Sequence, residues 1–196
     1  MRNTFGFAAL LSSAILILPG LASAQWSLNN EESTLSFTTV KADHLAEVHT
    51  FDMLSGAIGD DGAVAISIEL ASVNTLIPIR NERMQAMLFE TELFPEATIE
   101  ADIDLESLVE MEAGQSESMQ LNFNLSLHGE TRPYTAEVRV TRLAEGLVAS
   151  TLKPILVTAE DFELQDGVEA LRDVAGLPSI SRAVPVNFSV QFDQGE

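Results

Sequence analysis

The feature that most constrains this chain is a strict two-residue alternation. In Met119-Gln-Leu-Asn-Phe-Asn-Leu-Ser-Leu127 every odd position is apolar and every even one is polar. Successive side chains on a strand point to opposite faces, so this segment has one apolar face and one wet face. The same period recurs at Val64/Ile66/Ile68/Leu70, Ala97/Ile99/Ala101/Ile103/Leu105, Tyr134/Ala136/Val138/Val140 and Val184/Val186/Phe188/Val190/Phe192. Many half-apolar strands in one chain predict a sandwich or a barrel, with an interior that is either packed solid or holds a ligand.

A leader precedes these strands. Arg2 supplies a small basic region, residues 5–18 are mostly apolar, and Ala22-Ser23-Ala24 reads as a cleavage site. The apolar stretch is short for a membrane span, so residues 1–24 are expected to be a cleaved signal peptide, with no transmembrane anchor. Residues 25–196 then form a single domain long enough for a sizeable core. The expected location is the periplasm, with secretion as the other outcome of export.

Composition narrows the chemistry. The chain carries a net charge of −20, and loses one further cation when Arg2 leaves with the leader. Nucleic acid is a poor partner for so acidic a surface, because phosphate binding needs a Lys/Arg footprint. There is no Cys, which removes disulfides, thiolate metal sites and thiol nucleophiles.

Gly59-Asp60-Asp61-Gly62 reads as a hairpin turn, and His128-Gly129 as another. One strand is expected over residues 34–39 and another over 51–58. Residues 77–94 break the two-residue period. Asn81 can cap a short helix there, with Met84, Met87 and Leu88 on one face. Residues 106–118 read as an acidic connection. A second short helix is expected over residues 166–175, capped by Asp166, with Val168, Leu171 and Val174 along one side and Gly176 after its end. Pro185 marks an edge or bulge in the last strand.

Catalytic signatures are sparse. There is no G-x-S-x-G elbow and no H-E-x-x-H spacing. His44 and His49 lie five apart, on opposite faces of a regular strand, so all three histidines, with His128, read as surface or turn residues rather than metal ligands. Asp102 and Asp104 share a polar strand face and read as solvated. No metal and no cofactor is expected. Arg80 and Arg83 stand out among so few cations. They either pair with nearby Glu82, Glu90 or Glu92, or clamp a ligand head group at a cavity mouth.

Several blocks, in order, carry a likeness to a known family. They are Trp26-Ser-Leu with Ser33-Thr-Leu-Ser-Phe37, Ser55-Gly-Ala-Ile58, Val73-Asn-Thr75 leading to Asn81-Glu-Arg83, and Leu93-Phe-Pro-Glu-Ala-Thr-Ile99. Leu125-Ser-Leu-His-Gly-Glu-Thr-Arg-Pro133, Asp161-Phe162 and Val184-Pro-Val-Asn-Phe188 complete the set. With these the chain resembles the YceI-like family, exported proteins with a lipocalin-like barrel that bind long apolar lipids such as polyisoprenoids. It departs from the family's pattern where Arg83 is followed by Met84 and the segment to Pro95 is short.

The resemblance implies an all-β fold: an antiparallel lipocalin-like β-barrel of about eight strands with one or two short helices. It also implies a use for the apolar face. The expected cavity wall is Phe37, Met84, Met87, Leu88, Phe94, Ile99, Phe123, Leu125, Val138, Phe162 and Phe188, with Arg80 and Arg83 at the head group. The expected partner is a long-chain apolar lipid or isoprenoid (a polyisoprenoid, an isoprenoid quinone or a fatty-acid-like molecule), and the expected role is that of a non-enzymatic carrier or sequestering protein. Two other readings stand beside it. One is an enzyme on a lipid or quinone-like substrate, with His128 or Asp43/His44 as its working groups. The other is an envelope interaction module in a redox or stress system, a homodimer that would need an exposed apolar patch or a strand edge such as that near Pro185.

Overall fold

The computed structural model describes residues 24–195, and of Ala24 and Gln25 only the backbone. The expected leader falls outside the described residues, except for Ala24. Among those described, eleven strands and three helices follow one another. They are β1 (Ala24–Lys41), β2 (Leu45–Phe51), β3 (Leu54–Gly59), β4 (Ala63–Glu69), β5 (Val73–Asn74), α1 (Pro78–Met87), β6 (Glu96–Asp102), α2 (Leu105–Val109), β7 (Ser116–Leu127), β8 (Glu130–Arg142), β9 (Gly146–Thr151), β10 (Ile155–Thr158), α3 (Gln165–Ala175) and β11 (Ala183–Gln194).

All strand pairs are antiparallel, and the order β1-β3-β4-β6-β7-β8-β9-β11 returns to β1 through the β1–β11 ladder. The result is a closed eight-stranded barrel, which leaves the principal sheet no open edge. β2 continues along β1 where β3 stops, and β10 continues along β11 where β9 stops. These two additions extend one end of the barrel.

The strand expected over residues 51–58 is broken. At Asp52 and Met53 the backbone amides turn away to the Ser72 carbonyl and hydroxyl, at 3.2 and 3.0 Å, so β2 and β3 become separate elements. The hairpin and turn signals match the backbone. Gly62 has φ +83°, and the β7–β8 turn places both His128 (+52°) and Gly129 (+82°) in the left-handed region that a two-residue hairpin requires. The last β1–β11 pair is Phe37 with Val186, so the ladder on that side has ended when the chain reaches Pro185.

The helices differ from expectation in their caps. α1 starts at Pro78, with Ile77 at the cap position, because proline at the first helical residue needs no amide partner. Asn81 instead accepts from the amide (2.9 Å) and hydroxyl (2.6 Å) of Thr75, tying down the loop before the helix. α3 begins one residue before Asp166, which lies in its first turn, and Gly176 (φ +63°) ends it. The expected connection after residue 105 opens with α2. Asp104 caps it, accepting from the Ser107 amide, and Leu105 and Leu108 are buried beneath it. Asp104 is therefore not a strand residue: β6 has ended at Asp102.

The barrel interior has two unlike halves. Around Ile58, Leu108, Val138 and Val140 the side chains leave a void of only about 80 Å³. At the end extended by β2 and β10, under α1 and α3, a cavity of about 470 Å³ remains. Leu35, Ile68, Ile99, Phe123 and Phe188 line both spaces and form the floor between them.

Candidate functional site

The cavity inherits its polarity from strand alternation. On β1 the inward residues are Leu35, Phe37, Thr39 and Lys41, all of which line it. Their partners on β2 are Phe51, His49, Glu47 and Leu45. Read from the floor outward, the lining changes from Leu35/Phe51, through Phe37/His49, to Thr39 and then Lys41, while Glu47 reaches Lys41 from outside the lining. One alternating strand pair thus supplies an apolar depth and a charged mouth.

Two helices roof the space. From α1 come Met84 and, just past its end, Leu88; from α3 come Val168, Leu171 and Val174. The helices approach closely at Gly167, where an added Cβ would sit 2.7 Å from the Met87 carbonyl oxygen and 2.9 Å from the Leu88 Cα. Ile77, Ile79 and Val174 line the cavity yet are 45%, 53% and 44% exposed, which puts the opening between the start of α1 and the end of α3. Leu76, beside that opening, is 86% exposed and has φ +63°.

The charged mouth is built around Glu47. Lys41 and Arg80 both pair with its carboxylate, Arg80 at 2.8 Å, and Arg80 also donates to the Thr75 carbonyl at 2.6 Å. The Lys41 hydrogen bond, with the charges of both cations, holds the Glu47 carboxyl below its usual pKa despite some desolvation. His49 is buried and lies 3.1 Å from the Thr39 hydroxyl. Burial pushes its imidazole pKa down, with the Arg80 charge acting the same way and Glu47 opposing. The reading of His49 as a surface residue is corrected here: it lies on the inner face of β2.

A second polar knot holds the wall in place. The Tyr134 hydroxyl donates to Asp161 at 3.2 Å, and the Thr158 hydroxyl donates to the same oxygen at 2.6 Å. Burial and the neighbouring Asp161 push the Tyr134 pKa up to about 12. Its ring stacks between Phe123 and Phe162.

The sequence profile of the YceI-like domain matches residues 26–192, most of the described barrel. The chain belongs to the YceI-like family. Among solved structures it is similar to a polyisoprenoid binding domain from Saccharophagus degradans implicated in plant cell wall breakdown. That domain is 35% identical, with a TM-score of 0.86, over 88% of this chain and 100% of the domain. Burkholderia cenocepacia BcnA is 15% identical with a TM-score of 0.64, over 84% of this chain and 98% of its own. A Campylobacter jejuni YCEI protein is 16% identical with a TM-score of 0.55, over 76% and 85% of the two chains. The last two show the shared fold alone. No curated protein sequence matches this chain.

In this YceI-like barrel, Phe37, Met84, Leu88, Ile99, Phe123, Leu125 and Phe188 line the large cavity, as do Arg80 and Arg83. Met87, Phe94, Val138 and Phe162 do not. Val138 faces inward but at the filled end. Phe162 is fully buried behind Tyr134, and Phe94 packs on His128 with ring centroids 4.4 Å apart. Arg80 pairs with Glu47, not with Glu82, Glu90 or Glu92. His128 instead meets Glu90 at 2.9 Å, and Asp43 accepts from Ser179 at 3.0 Å; neither residue lines the cavity, nor does His44. Sequence reasoning missed Phe51, Val157, Lys41 and His49. Extending the β1 alternation through Lys41 would have found one of them, and pairing β2 against it two more.

Proposed function

We propose that this YceI-like chain is an exported, non-catalytic carrier or sequestering protein. It holds one long apolar molecule (a polyisoprenoid, an isoprenoid quinone or a fatty-acid-like chain) with its tail on the Phe123/Phe188 floor and its polar end beside Arg80 and Arg83. The observation that carries this reading is a cavity of about 470 Å³ with an apolar depth and with Lys41, Arg80 and Arg83 at its charged mouth. Its size falls within the roughly 300–1,000 Å³ of small-molecule sites. The 35%-identical Saccharophagus domain, a polyisoprenoid binding domain, supports the same ligand class. Burial of each methylene contributes about 0.8 kcal/mol, so a tail of modest length supplies the affinity without any catalytic group. The leader-like sequence of residues 1–24 supports action in the periplasm, where such a tail needs shielding from water.

The test is displacement of an environment-sensitive apolar dye from delipidated protein. Long isoprenoids should compete the dye off at one per protein molecule, and short polar analogues should not. A protein that takes up neither dye nor isoprenoid refutes the reading.

A further inference from the structure

Four of the ten Lys and Arg residues in this chain line a single cavity, although the chain as a whole carries −20. They are unequally matched. Arg182 already faces two carboxylates, Glu160 at 3.1 Å and Glu169 at 2.8 Å. Lys41 and Arg80 share only one, Glu47. The Arg83 side chain, half-buried one helical turn from Arg80, makes no ion pair or hydrogen bond among the described residues. Its sequence neighbour Glu82 lies exposed and joins no ion pair among the described residues. Lys41, Arg80 and Arg83 therefore stand at the cavity's polar end against one carboxylate, an excess of two positive charges.

That excess decides between ligand chemistries. A neutral head group, such as an alcohol, amide or quinone ring, would cover these cations without answering their charge, and desolvating unmatched charge is costly. A carboxylate or phosphate would complete the neutralisation. An arginine fork also meets such a group with two parallel hydrogen bonds. Glu47 then has a defined part. It holds the place of an anion in the unliganded mouth and competes with the incoming one for Lys41 and Arg80.

We propose that Lys41, Arg80 and Arg83 form a subsite for an anionic head group, a carboxylate or a phosphate, on the long apolar molecule in the cavity. The proposal rests on the carrier reading and narrows it to acidic amphiphiles.

The test uses delipidated mature protein and three ligands with one common tail: a fatty acid, the matching alcohol and the matching alkyl monophosphate. Binding is measured at neutral pH in about 0.1 M salt, where charges within roughly 10 Å still act on one another. The acid and the phosphate should bind at least tenfold more tightly than the alcohol, and added salt should shrink the gap. Arg83→Gln should narrow it. Glu47→Gln, which removes the competing charge and keeps the shape, should widen it. A phosphate that outbinds the acid points to a phospholipid or prenyl-phosphate source; the reverse order points to a free fatty acid. Equal affinity for all three ligands, unmoved by Glu47→Gln, overturns the subsite and leaves the carrier standing. Failure to bind any of the three, or an apolar dye, overturns both.

Discussion

Removing the floor of the cavity should lengthen the ligand the barrel can hold. Phe188 lines both the large cavity of about 470 Å³ and the void of about 80 Å³ beyond it, so Phe188→Ala joins the two. A methylene takes up about as much room as a liquid water, roughly 30 Å³, so the small void alone admits about two or three more carbons. Each is worth about 0.8 kcal/mol, or about fourfold in affinity. Phe188 is only partly buried, so the cost in stability should fall below the roughly 3–5 kcal/mol of a fully buried phenylalanine. The assay is dye displacement by a homologous series of straight-chain ligands. In the native protein affinity should climb about fourfold per methylene and then level off where the tail meets Phe123 and Phe188. In Phe188→Ala the plateau should come two or three carbons later, with the longest ligands gaining about 15- to 60-fold. A plateau at the same length in both proteins, with the variant still folded by circular dichroism, would show that the tail does not end at this floor.

Three further outcomes follow from the same geometry. Gly167→Ala gains helix propensity but drives a methyl into the backbone of the neighbouring segment, at 2.7 Å from the Met87 oxygen. It should cost about 1–3 kcal/mol and lower Tm by several degrees; an unchanged or higher Tm would mean that α1 and α3 part freely. Tyr134 is the only tyrosine, so ultraviolet titration reads it alone. Its ionisation should centre near 12 in the folded protein and near 10 after unfolding. Because the folded value is the higher one, this contribution is complete below pH about 10 and lost as pH rises through about 12; a folded midpoint near 10 contradicts both the burial of Tyr134 and its Asp161 contact. His49 has a folded pKa below its ordinary 6.5, so its contribution is present above that value and lost as pH falls below it. Denaturant titrations should therefore show the native protein losing more stability than His49→Gln as pH drops from 7 to 5, and parallel curves would place His49 in contact with water.

The barrel was legible because alternation survives in sequence. The segments around Phe123, Val138 and Val190 each show which face is buried, and Gly62 and the His128-Gly129 pair mark where the chain reverses. Depth was not legible. Val138 and Leu125 follow the same two-residue rule, yet one belongs to the filled half and the other to the open one. That difference depends on where α2 and the α1/α3 roof sit along the barrel axis, a tertiary matter. The charged mouth was half legible. Arg80 and Arg83 stood out by scarcity, but their relation to Lys41 and Glu47 comes from the β1–β2 register, which pairs Thr39 with Glu47 and Lys41 with Leu45. Asp104 shows the limit of periodicity: its strand-like spacing continues past residue 102, but its short carboxylate serves better as a helix cap.

The central claim is that the 470 Å³ space holds a long apolar molecule. Native mass spectrometry of the mature protein, purified without detergent and followed by organic extraction, tests it most directly. The account predicts one bound molecule per chain, an extractable amphiphile with a long saturated or isoprenoid tail. A clean unliganded mass, unchanged after incubation with isoprenoids and fatty acids, would contradict it.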